Sequence, residues 1–344
     1  AFTIGVEDRE FDEAADSKKL AEHFNMSWVT ASITPKSIMK DFDKIIYHTD
    51  TLQGNTAQIV YYYCNKLIHE HGYKVTLNGN GGDELFIGYP TYQADTVFSY
   101  YRHFPSFIKK WTNTMAQQLP VSFGRVSLDY KLKKFFEFQN SDKLKAHAYW
   151  RTIFTSENQE YLLKKEFRGK LNNWYTTYGD FFKNMNINMP FLNKVQIADL
   201  YCWLIPMLPW VDNMSMALSV ELRVPFLDHR IVEKVMTLPP NFKFNGWKLK
   251  KLMKTFLRHK LPQTALNIKK RGTHIPLGNW LNNELSGLVE EYLSPEKLNR
   301  LGLFNMQEIE KLISEHSKKT KDNTFKLWNL IVFSAWTDKF KITI

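Results

Sequence analysis

The sequence predicts an α/β fold: a parallel sheet near the amino terminus, covered by helices and followed by a large helical extension. Three observations predict it. Strand and helix signals alternate up to residue 77, a glycine-rich turn follows the third strand signal, and from about Pro90 onward the texture becomes helical and aromatic with few strand runs. In order, residues 2–6 read as a short buried strand. Residues 13–24 carry Ala14, Ala15, Leu20, Ala21 and Phe24 at helical spacing. Residues 28–33 read as a second strand, 36–47 and 56–71 as helices, and 74–77 as a third strand. A sheet of this kind binds ligands at the carboxyl ends of its strands, so the segment directly after Leu77 is the place to look. The texture change suggests two parts, an α/β nucleotide-binding part over 1–115 and a mainly helical part over 116–344. Tryptophans from Trp111 to Trp336 are expected to fill the helical core rather than to form a stacking platform.

Composition narrows the class. Hydrophobic residues make up 44% and charged residues 24%, so a sizeable core can be buried. No stretch approaches the roughly 18 unbroken apolar residues of a membrane span, and the apolar start at Ala1 has no basic lead-in. No membrane partner is expected. Cys64 and Cys202 stand far apart, outside any CxxC pair, and are expected to be buried free thiols in a cytoplasmic protein. The net charge is +11, with basic runs at 131–134, 164–170, 248–254, 269–271 and 318–321. A nucleic-acid partner has to be considered, but such runs are ordinarily solvated helix faces.

The sharpest local signal is Asn78-Gly79-Asn80-Gly81-Gly82-Asp83-Glu84-Leu85-Phe86-Ile87-Gly88-Tyr89. Glycines at 79, 81 and 82 free the backbone, and Leu85, Phe86 and Tyr89 follow at helix-start spacing. Such a turn points N–H groups at one spot, which suits a phosphate. It is not a Walker loop, because no Gly-Lys-Ser/Thr follows. Asp83 and Glu84 would repel a phosphate unless a divalent cation, most simply magnesium, bridged them. The alternative is that both carboxylates only complement a helix amino terminus.

Here the sequence resembles the asparagine synthase family. Residues 79–89 are similar to its SGxGxDElFgGY motif. Val211-Asp212-Asn213-Met214-Ser215-Met216-Ala217 and Val220-Glu221-Leu222-Arg223-Val224-Pro225-Phe226-Leu227-Asp228 are similar to its vDrxSMAxSxExRvPFLD block. Lys270-Arg271-Gly272, followed by Pro276 and Trp280, looks like KxGFxxPxxxW. The resemblance implies a pyrophosphatase-loop (adenine nucleotide alpha hydrolase-like) domain with a helical extension. That domain adenylates a carboxylate with ATP and then admits ammonia, usually from a glutaminase domain in the same chain. It implies that Asp83 holds magnesium, that Lys270 contacts the pyrophosphate, and that Glu84 orients the loop or assists the metal. Ile4 would meet the adenine, and Asn78, Gly79, Gly81 and Gly82 would bind ATP. Asn80 stands at a candidate acid/base or ammonia-orienting position. Asp212 is expected to cap the helix through Met216, and a buried Arg223 to need a carboxylate partner.

The sequence departs from the family in several places. The family's SGGxDS loop, on a strand before the one at residues 2–6, occurs nowhere in the 344 residues. The chain is therefore expected to be a carboxyl-terminal piece, inactive alone, of a parent that also has a glutaminase domain. Asn80 replaces a common Glu, Asn78 a Ser, Thr273 a Phe, and Pro209-Trp210 occupy ground where Lys or Arg is usual. These departures leave aspartate in doubt as the carboxylate. A polysaccharide uronic acid, a non-catalytic relative that binds a partner, and an RNA-modifying enzyme are the alternatives; the PFLD block and the lack of zinc spacing oppose the last. A homodimer is compatible with the sequence.

Overall fold

The computed structural model describes all residues except 9, 51, 53, 125–126, 171–173, 184, 186–187, 269–274 and 343–344, and the backbone alone at 174–177. Strand β1 (Phe2–Val6) pairs in parallel with β2 (Val29–Ile33), from Phe2 opposite Val29 to Val6 opposite Ile33. Helix α1 (Ala14–His23) connects them. Helix α2 (Pro35–Tyr47) starts where it does for a local reason. Thr34 and Ser37 cap each other's backbone N–H groups, and Pro35 at the first position has no N–H to lose. Its stripe of Ile38, Phe42, Ile45 and Ile46 is buried. Phe42 meets Trp328 of the terminal helix Thr324–Lys339 edge-on at 5.9 Å. Truncating such a ring to alanine costs about 3–5 kcal/mol.

Helix α3 (Ala57–Glu70) crosses next, and β3 (Val75–Leu77) follows. The expected single sheet does not form among the described residues. Strand β3 pairs instead, in parallel, with β4 (Glu221–Arg223), giving two separate two-stranded sheets. The sequence missed β4 because three residues are too few to show a period. Each sheet keeps an unpaired edge. Between Phe2 of β1 and Val75–Leu77 of β3 lies a groove of about 680 Å3, floored by Val60, Tyr61, Cys64 and Ile68 of α3. Leu77, at its rim, is 73% exposed, a large apolar side chain with nothing on it.

The main core joins both ends of the chain. Val6, Ile33, Ile38 and Ile59 pack with Trp280, Leu288, Leu327, Trp328 and Ile331. Trp336 also donates its indole N–H to the carbonyl of Thr49, at 2.9 Å. Residues 1–115 and 116–344 thus share one core, and position 115 falls inside the helix Ser106–Gln117. Among the described residues Trp210, Trp280 and Trp328 are buried in the core as expected, but Trp111 and Trp247 stand in solvent. Cys64 and Cys202 are free and half-buried; burial pushes each thiol up to about 11. No helix among the described residues is long and apolar enough to cross a membrane.

Candidate active site

The turn after β3 is built by its own polar groups. The Asn78 N–H donates to the carbonyl of Arg223 at 2.8 Å, extending the ladder one bond past Leu77. The Asn78 side-chain oxygen accepts the Asn80 N–H at 2.9 Å, closing an Asx-type turn. Gly81 then takes φ +84°, and a β-carbon there would collide with the side chain of Leu227. Of the three glycines only Gly81 needs the left-handed region; the space beside Gly79 is open, and Gly82 lies against the ring of Phe226. Helix α4 (Gly82–Phe86) is a single turn, ending at Ile87 with φ +58°. A one-turn helix has little dipole, so any anion grip comes from individual N–H groups. Those of Gly79 and Gly81 donate to no atom among the described residues.

The two carboxylates do not face one spot. Consecutive residues of a helix point about 100° apart. Asp83 Oδ1 lies 2.7 Å from Lys250 Nζ. A β-carbon at Gly88 would collide with both groups, which explains the glycine there. Lys250 takes φ +54° and donates its N–H to the carbonyl of Ile87 at 3.1 Å, so its own backbone is tied to the end of α4. Glu84 is buried instead, with Oε1 accepting the Tyr89 hydroxyl at 2.5 Å. Burial pushes its carboxyl up. The two carboxylates are thus separated: Glu84 is buried against Tyr89, and Asp83, held by Lys250, is the partly exposed one. No group of three or more His, Cys, Asp or Glu among the described residues could hold a metal by itself. One carboxylate does fit a magnesium ion that arrives on phosphate oxygens and keeps several waters.

A buried charge network stands behind Glu84. The Arg151 guanidinium lies 4.4 Å from the centre of the Tyr89 ring and donates to Asp199 Oδ2 at 2.7 Å. Asp199 also accepts the Tyr92 hydroxyl at 2.6 Å and lies 3.3 Å from His147 Nε2. His147 Nδ1 is 2.7 Å from Asp95 Oδ2. Burial alone would lower the His147 pKa, but the charges of Asp95 and Asp199 outweigh it and hold the value up at about 9. From the other side, Gln196 donates its amide to the carbonyls of Glu84 and Leu85, at 3.1 and 2.6 Å. Fully buried Lys243 donates to the Gln196 oxygen at 2.7 Å, and burial pushes its ammonium down to about 8. A helix too short to be stable alone is thus held at its last turn by side chains from elsewhere.

The remaining expected site residues are dispersed. Asn80 accepts the Tyr61 hydroxyl on Oδ1 at 2.6 Å, while its Nδ2 is buried without a partner among the described residues. Ile4 lies in β1; the groove that meets Asn78 and Gly79 is lined by Ala1 and Phe2 but not by Ile4. Lys270 and Thr273 lie outside the described residues. Trp210 is fully buried and meets Tyr61 edge-on at 5.5 Å, so it packs the core rather than facing solvent. Two expectations are corrected. Asp212 sits inside the helix Ile205–Met216, not at its start. Arg223 is exposed and pairs with Glu221 at 2.9 Å, because residues two apart on a strand share a face.

Sequence reasoning missed Lys250, Tyr61 and Arg151. Lys250 sat in the basic run 248–254, which was set aside as a solvated face. Tyr61, in a run of three tyrosines, and Arg151 show no local signal at all.

The asparagine synthase family model matches residues 1–338. Asparagine synthetase [glutamine-hydrolyzing] 1 of Bacillus subtilis is 27% identical, covering 97% of this chain and 51% of its own length. A putative asparagine synthetase [glutamine-hydrolyzing] of Mycobacterium bovis is 22% identical, over 97% of this chain and 50% of its own. The amidase chyE of Penicillium rubens is 22% identical, over 88% and 47%. The chain spans about half the length of the curated relatives it matches. With its match over nearly the whole chain, and with the DELF turn and the PFLD block packed together through Gly81 and Leu227, this chain belongs to the asparagine synthase family.

Proposed function

We propose that this chain is the amide-forming part of an ATP-dependent carboxylate amidotransferase. The leading form makes asparagine from aspartate with ammonia released from glutamine. The observation that carries the reading is the Asp83–Lys250 pair at the open end of β3, beside the unspent N–H groups of Gly79 and Gly81. The relatives' names, asparagine synthetase [glutamine-hydrolyzing], supply the substrates in this reading. Asp83 would be the protein ligand of magnesium, which neutralises phosphate charge when bound. Lys250, tied to Asp83 without nucleotide, would turn to a phosphate oxygen, and Lys270 would stabilise the departing pyrophosphate. Glu84 positions the turn through Tyr89 rather than ligating metal. Asn80, its oxygen held by Tyr61, would offer its amide N–H to the acceptor carboxylate. The groove between the sheets suits a further parallel strand, where an SGGxDS loop would sit. Ile4 would then approach adenine by its backbone. A glutaminase domain in a longer chain, a cytoplasmic setting and a homodimer complete the reading.

Asn80 favours a second form. It cannot exchange a proton at neutral pH, so the acceptor could be another carboxylate, such as a polysaccharide uronic acid, or the chain a non-catalytic binder. ATP–pyrophosphate exchange in the full-length protein tests the reading. Asp83→Asn should abolish exchange that each true acceptor supports, while leaving thermal unfolding unchanged. Wild-type exchange in that variant would remove the metal role.

A further inference from the structure

Lys131 and the basic run at 248–254, distant in the sequence, meet around one cavity. Lys131, Lys248, Lys251, Lys254 and Arg258, with Trp247, line a space of about 840 Å3 in which no Asp or Glu takes part among the described residues. Neighbouring cations do find carboxylates: Lys133 pairs with Asp129, Lys134 with Glu137 and Lys250 with Asp83. None of the five lining cations pairs with a carboxylate among the described residues; Lys251 donates to the Asn241 carbonyl and Arg258 to the His259 ring. Clustered like charges repel, and the cluster becomes favourable when an anion enters. The floor is different in kind, made of Leu249, Leu266 and Ile268. Trp247 stands at the rim, 60% exposed, on a loop fixed by Gln93, whose amide donates to the Trp247 carbonyl at 2.7 Å. Leu249, Lys254, Leu266 and Ile268 also line a second cavity, which contains Lys250 and Gly88. The basic cavity and the Asp83 region therefore share a wall.

We propose that this cavity binds an acidic peptide segment, its carboxylates on the cationic rim and its apolar side chains on the Leu249–Leu266–Ile268 floor. Single-stranded nucleic acid stacks successive bases on several aromatics, and this cavity offers one. A polyuronate, polar on all sides, leaves the apolar floor uncovered. A peptide alternating acidic and apolar residues satisfies both. The inference goes beyond the proposed function by adding a peptide-binding cavity next to the Asp83 region.

The test is fluorescence anisotropy of a fluorescein-labelled peptide of repeating Glu-Glu-Leu with the full-length protein, without ATP. Binding should weaken about tenfold or more in the Lys248→Gln, Arg258→Gln double variant, and should weaken as salt rises from about 0.05 to 0.5 M. Trp247→Ala should weaken it as well. Thermal unfolding of each variant shows that it folds. The binding result then stands whether or not Asp83→Asn abolishes exchange. Equal affinity in the double variant overturns the proposal, as does equal affinity for the peptide with serine in place of leucine. Displacement of the peptide by oligouridylate or oligogalacturonate at lower concentration overturns the choice of a peptide.

Discussion

His147 should make folding stability depend on pH in a defined window. It is fully buried between Asp95 and Asp199, with Tyr92 and Arg151 on the same carboxylate. Its pKa is raised from 6.5 to about 9 in the folded protein. Between those values the native state holds a proton that the unfolded chain has released. Stability contributed by this group is therefore complete below pH 6.5 and is lost as pH rises through about 9. The difference between 6.5 and about 9, at about 1.4 kcal/mol per tenfold change in proton affinity, sets the full effect at about 3 kcal/mol. Other groups titrate nearby with the opposite sign: buried Lys243, depressed to about 8, should gain stability as pH rises. The clean measurement is thus a difference. Urea unfolding of wild type and His147→Gln at pH 6, 7.5 and 9.5 should show the gap between them shrinking by about 3 kcal/mol from the lowest to the highest pH. A gap constant across that range would mean that His147 titrates in the fold as it does in the unfolded chain.

Three further outcomes follow from the same geometry. Gly81→Ala should destabilise by about 2–4 kcal/mol, combining the left-handed backbone with the collision against Leu227; adding Leu227→Ala should relieve only the collision part, as read by urea unfolding. Lys250→Met should weaken ATP–magnesium binding about tenfold by calorimetry in the full-length protein, with little change in melting temperature, since Lys250 is half-buried at the surface. Lys270→Ala should lower turnover much more than it raises the Michaelis constant for ATP, the signature of a group acting on the departing pyrophosphate.

The early elements were legible because their signals are local. The alternation of Phe2–Val6, Ala14–His23 and Val29–Ile33 follows from side-chain period, and the helix expected over 36–47 forms as Pro35–Tyr47. The DELF turn was legible for the same reason: its glycine, amide and carboxylate types fit one kind of backbone. The partition of Asp83 and Glu84 was not legible. Two adjacent carboxylates look alike in a sequence, and only Lys250 and Tyr89, which approach from different directions, tell them apart. The same holds for Tyr61, whose hydroxyl reaches Asn80 across nineteen positions of chain.

The sequence by itself determined the family, the position of the glycine-rich turn and the mainly helical character of the described chain after Pro90, because motifs and periodicities are properties of short windows. The tertiary structure alone decided which carboxylate is partly exposed, where β3 finds its partner, and that Lys131 and the run at 248–254 line one cavity. Those facts depend on residues brought together over long loops. Burial and charge can select among such contacts only once the whole core, from Val6 to Ile331, has closed.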